Sequence, residues 1–86
     1  MLTVWGKLIK NGKTIKADTY TSRKDSLESA LLECLEHFSR KFDIEVPMWH
    51  TNHTKQLGLF HKAVFKPDDF IDSFPYERFE IQILDR

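Results

Sequence analysis

Apolar and polar positions alternate with period two over residues 2–10 and again over 13–20, on either side of Asn11-Gly12. Such alternation sends successive side chains to opposite faces of a strand, and Asn-Gly suits a two-residue turn whose central positions both need φ > 0. The pattern predicts a β-hairpin in which Lys10 faces Lys13, Leu8 faces Ile15, Gly6 faces Ala17 and Val4 faces Thr19 on an apolar side. The other side then carries Trp5 opposite Asp18, Lys7 opposite Lys16, Ile9 opposite Thr14 and Thr3 opposite Tyr20. A one-residue slip would exchange the two faces, so what is read from the hairpin depends on its register. The small pair Gly6/Ala17 predicts a helix crossing close to the sheet.

The period then changes. Leu27, Ala30, Leu31, Cys34, Phe38 and Phe42 recur at helical spacing, with Leu32 and Leu35 widening the stripe and Glu28, Glu33, Glu36, His37 and Arg40 opposite. Ser22 followed by Asp25 has the spacing of a capping box, which predicts a helix over about 23–41. Phe42, Ile44 and Val46 alternate with Asp43 and Glu45, predicting a short strand stopped by Pro47. Thr51 is a candidate cap for a short helix ending at Gly58, and residues 59–66 alternate as a strand. Pro67-Asp68-Asp69 reads as a helical turn, Ser73-Phe74-Pro75 as a break, and Phe79, Ile81 and Ile83 as one side of a final strand. The predicted fold class is α+β: a two-layer sandwich with an antiparallel sheet of about four to five strands and one long helix packed on one face.

Length and composition limit what this fold can do. Residues 1–86 make one domain of 10.2 kDa, with 41% hydrophobic and 30% charged residues, in the range of a folded globular chain. No apolar run approaches the ~20 residues of a spanning helix. The N-terminus alternates where a secretory signal would be continuously apolar, and Cys34 is the single cysteine. The expected setting is therefore cytoplasmic, with no membrane partner and no internal disulfide.

Charge changes the picture more. Thirteen Lys+Arg balance thirteen Asp+Glu, yet the signs fall in blocks: residues 1–24 net +5, 25–46 net −4, 47–67 net +3 and 68–86 net −4. The basic hairpin block includes a face with Trp5, Lys7, Lys16 and Tyr20, and cations among rings are what a nucleic-acid platform uses. Lysines on a strand also serve to discourage edge pairing, and the rings could cover a small second core. His50-x2-His53 followed by His61, with Asp68 and Asp69 downstream, supplies metal-ligand residue types, though without an HExxH pattern or a cysteine pair. Cys34 and His37 are the one thiol–imidazole pair close in sequence, but Cys34 belongs to the apolar stripe. No phosphate loop, GxSxG or dinucleotide fingerprint occurs.

The rings from Met48-Trp49 through Phe60, Phe65, Phe70, Phe74, Tyr76 and Phe79 are either core or interface. The expectation is a binding module without catalysis or cofactor, taking a protein partner or a second copy of itself. Trp5, Lys7, Lys16 and Tyr20 would form its surface, with Trp49 as a further interface residue. Nucleic-acid binding through the same hairpin face is the alternative, and a metal-binding protein using His50, His53 and His61 the second alternative.

Overall fold

The computed structural model describes residues Met1–Asp85. Strands β1 (Leu2–Lys10) and β2 (Lys13–Ser22) are followed by helices α1 (Leu27–Phe42) and α2 (Thr51–Phe60), strand β3 (Lys62–Phe65), a 3-10 turn at Pro67–Asp69 and strand β4 (Arg78–Asp85). The four strands form one antiparallel sheet in the order β2-β1-β4-β3. The class is α+β as expected, with two α-helices and four strands among the described residues.

Local chemistry accounts for the hairpin turn: Asn11 and Gly12 adopt φ of 53° and 76°. The register does not continue as the alternation predicts. After Ile9↔Thr14 the pairing resumes at Leu8↔Lys16, leaving Ile15 as a bulge, and from there Gly6 pairs with Asp18, Trp5 with Thr19 and Val4 with Tyr20. Lys16, Asp18, Tyr20 and Ser22 therefore share the α1-facing side with Leu2, Val4, Gly6 and Leu8, while Ile15 stays 45% exposed. The reason lies in α1. Asp18 Oδ2 sits 2.7 Å from His37 Nε2, Tyr20 stacks on the His37 ring at 4.3 Å, and Lys16 Nζ reaches the Phe42 carbonyl at the helix's negative end. In this register the edge strand turns Lys16, Asp18 and Tyr20 toward polar and aromatic partners on α1 and leaves Ile15 and Thr19 outside.

Helix α1 begins later than the Ser22 spacing predicts. Ser26 is the N-cap, its Oγ accepting from Ser29 N–H, whereas Ser22 ends β2 and accepts from Lys24 N–H. The helix crosses β1 at Gly6, where an added Cβ would lie 2.9 Å from the Phe38 ring. Phe38, Phe42, Phe65 and Phe79 pack ring against ring at 5.8–6.2 Å and form, with Val4, Leu8, Leu35, Ala63 and Ile81, a single core.

The strand expected at 42–46 does not form. Phe42 closes α1, Asp43 takes the left-handed C-cap conformation, and the chain pairs with the loop after β3: Met48 N–H donates to the Asp69 carbonyl and Asp72 N–H to Glu45 Oε1. Helix α2 runs through Gly58 to Phe60 and is closed by His61 at φ 55°, with His50, not Thr51, at its N-cap. It lies along the outer edge of β3. Val64 N–H donates to Gln56 Oε1 at 2.9 Å, and Val64 O accepts from His53 Nε2 at 3.1 Å. The backbone groups that an edge strand would show to solvent are met here by side chains of a helix.

Among the described residues no helix is long and apolar enough to cross a membrane.

Candidate functional site

The bulge at Ile15 divides the hairpin face that the sequence suggests. Trp5 and Lys7 remain on the sheet surface turned away from α1, while Lys16 and Tyr20 lie on the α1 side. The structure does not bring the four together. Trp5 and Lys7 meet residues of β4 and β3 instead, since Trp5 pairs with Gln82, Lys7 with Glu80, and Lys62 with Gln82. Glu80, 3% exposed, is the centre of this surface: Lys62 Nζ is 2.9 Å and Lys7 Nζ 3.6 Å from its carboxylate, and Arg78 Nε bonds its other oxygen. Burial alone would raise the Glu80 pKa, but hydrogen bonds from Arg78 and Lys62 and the charges of Lys62 and Lys7 outweigh it and hold the group below its ordinary value. Lys7 also lies over the Trp5 ring at 4.5 Å. Its lysines are thus engaged within the sheet. Glu80→Gln is expected to cost about 1–3 kcal/mol, because three cations then crowd a neutral amide; urea unfolding at neutral pH measures it.

The three histidines also separate. His50 and His53 flank the start of α2, and His61 caps its far end, about 15 Å away along a ten-residue helix. His53 is fully buried, and both of its nitrogens are occupied. Nδ1 accepts the His50 backbone N–H at 3.0 Å, which leaves the proton on Nε2 to donate to Val64 O, with Asp69 Oδ2 at 3.3 Å. Desolvation lowers the His53 pKa, against the opposing pull of Asp69, so the ring is neutral. Among the described residues no three His, Cys, Asp or Glu side chains form a group that could hold a metal ion. Asp69 itself accepts from Lys66 N–H at 2.9 Å, the third residue of the Pro67–Asp69 turn reaching back to the backbone that caps it.

Cys34 is fully buried in the core, and desolvation raises its pKa to about 11. His37 turns away from it, toward Asp18 and Tyr20. The His37 contact lowers the Asp18 pKa. Cys34 is expected to resist a thiol reagent at pH 7.5 in the folded protein and to react at once in denaturant, a contrast that absorbance at the released chromophore records.

Most of the aromatic segment is core: Phe65, Phe70 and Phe79 are buried, and Phe74 and Tyr76 pack against them. Phe60, at the end of α2, and Trp49 stand outside it, and Trp49 lies against α1. The segment between α1 and α2 delivers it to the N-terminal half of α1, where it forms one wall of a depression of about 390 Å³ lined by Leu27, Glu28, Leu31, Leu32, Leu35, Trp49 and Thr54. Leu31 and Leu35 are its floor, while Leu27 (37% exposed), Leu32 (52%) and Trp49 (37%) stand open to solvent. The indole N–H donates to Thr54 Oγ1 at 2.9 Å and the ring tilts against His53 and Phe65, contacts that hold it in place. Sequence periodicity assigns Leu27 and Leu32 to the core stripe. Their surplus on a stripe too wide for one sheet contact was the available signal for this groove.

Comparison with protein-family models, with curated proteins and with solved structures returns no match for this chain.

Proposed function

We propose that this protein is a binding domain that takes a helical segment of a partner protein in the groove between α1 and Trp49. The observation that carries the reading is the fixed, solvent-facing Trp49 ring opposite Leu27 and Leu32 over a floor of Leu31 and Leu35. A pre-set aromatic wall spares the partner the cost of ordering it, and tryptophan is among the residues in which binding energy concentrates. The lining residues 27–35 span roughly 12 Å of α1, enough for about two turns of a docked helix. Glu28 and Glu36 extend the row of Leu32, so the fitting helix has apolar residues at i and i+4 and a basic flank. Lys7, Lys62 and Arg78 converge on Glu80 and the chain carries no net charge, which favours a protein partner over a polyanion.

The test is a benzophenone side chain introduced at position 32, irradiated in cells, with one at exposed Ile71 as the control. A protein captured from 32 and not from 71, whose isolated helical peptide binds the purified domain, is the expected result. Leu32→Asp should weaken that peptide's binding by about 30-fold, the equivalent of ~2 kcal/mol at a hot spot, without altering the fold. Capture equal from both positions, or peptide affinity indifferent to Leu32→Asp, overturns the reading.

A further inference from the structure

We propose that two copies of this chain join edge to edge through β2, in antiparallel pairing centred on Thr19, to make one eight-stranded sheet. This surface lies on the opposite flank of α1 from the groove and does not depend on it.

The fold treats its two sheet edges differently. The β3 edge is closed by Gln56 and His53 of α2, which take up the backbone groups of Val64. The other edge is β2, ten residues long and exposed over most of its length. Its hairpin end carries Lys13 and the Ile15 bulge, both of which oppose pairing with another strand. Beyond the bulge, Lys16–Ser22 follows β1 without irregularity, a run of seven residues or about 23 Å. Its midpoint is Thr19. A two-fold axis there sets Thr19 opposite Thr19, Ala17 opposite Thr21, Asp18 opposite Tyr20 and Lys16 opposite Ser22 of the second copy, so no like charges oppose each other. Centring on Ala17 would carry the bulge into the pairing.

Helix α1 supplies the charge complementarity. It runs antiparallel to β2, as Lys16 reaches the Phe42 carbonyl, Asp18 binds His37, and Tyr20 lies beside His37 and Glu33. His37 is therefore level with the middle of the run. The axis through Thr19 brings the two α1 helices side by side about His37, and sets Glu33 of each copy against Arg40 and Lys41 of the other. Both contacts form twice, as a closed two-fold interface requires. Because α1 packs over β1 and β2, strands ~4.8 Å apart put the two helix axes about 10 Å apart, close to the usual helix-packing distance.

Sedimentation equilibrium and disulfide trapping test this. The protein is expected to dimerise with Kd below about 100 μM, and Glu33→Lys to weaken the dimer about tenfold. The triple change Glu33→Lys/Arg40→Glu/Lys41→Glu should restore it, which a merely destabilising change would not do. On mild oxidation Thr19→Cys should form an intermolecular disulfide, since opposed residues of an antiparallel pair lie about 4.5–5.5 Å apart. Ala17→Cys, about 14 Å from its twin, should not, and buried Cys34 does not compete. A protein that stays monomeric at several times that concentration, a dimer trapped through position 17 in place of 19, or a charge reversal that the triple change fails to rescue overturns the proposal.

Discussion

Phe38→Ala is expected to remove about 3–5 kcal/mol of unfolding free energy, the range for deleting a fully buried ring. Phe38 is 0% exposed and touches Phe42, Phe79 and the Gly6 backbone, so no neighbour can collapse into its space without moving the sheet. Domains of this kind have some 5–15 kcal/mol in total, so the variant should be marginal and its thermal transition far below that of the parent. The same contact predicts its own partner effect. Gly6→Ala pushes a methyl to within 2.9 Å of a ring that has nowhere to go, and is expected to cost about 1–3 kcal/mol despite alanine being the better strand residue. In a Phe38→Leu background the clash is relieved and Gly6→Ala should be nearly neutral. Urea denaturation of the four proteins measures the coupling, expected at about 1–3 kcal/mol. Additive costs would mean that the helix does not approach the sheet as closely as Gly6 implies.

The second large effect is at His53. His53→Leu keeps much of the volume but leaves the His50 N–H and the Val64 carbonyl without partners, each worth about 1–3 kcal/mol when buried. It also loosens α2 from the β3 edge and removes the ring that backs Trp49. The pH dependence distinguishes this loss from a simple packing defect. Burial holds the folded-state pKa of His53 below the ~6.5 of an unfolded chain, so below that value the unfolded state binds the extra proton first. His53 therefore contributes full stability above about pH 6.5 and loses it as the pH falls toward the depressed folded-state value. Between pH 7.5 and 5.5 the parent should lose more stability than His53→Leu. Equal pH slopes for the two proteins would show that His53 is not held neutral. Gln56→Ala, which removes the other edge bond and no titrating group, should lower stability at both pH values alike.

What could be read without coordinates was local. Asn11-Gly12 specifies its turn because the two residues tolerate positive φ; the α1 stripe, the Pro67 turn and the alternation of β4 likewise follow from a few adjacent residues. Trp49 could be singled out as a candidate from its residue type. Its setting was not, because Leu27 and Leu32 obey the same helical period as the true core residues, and only the width of the sheet beneath α1 decides which leucines it covers. The four hairpin residues part company for a related reason. A bulge of one residue moves Lys16 and Tyr20 to the other face, and what stabilises it is a contact with His37, nineteen residues from Asp18.

By itself, then, the sequence determined the α+β class, the hairpin turn, the main helix and the final strand, all of which rest on backbone preferences and periodicities within a turn or two. The tertiary structure alone decided the order β2-β1-β4-β3, the register beyond Ile15, the absence of a strand at 42–46 and the closing of one sheet edge by α2. Each of these depends on which distant groups meet, and a polar group is paired by whichever partner the whole fold brings within hydrogen-bond reach.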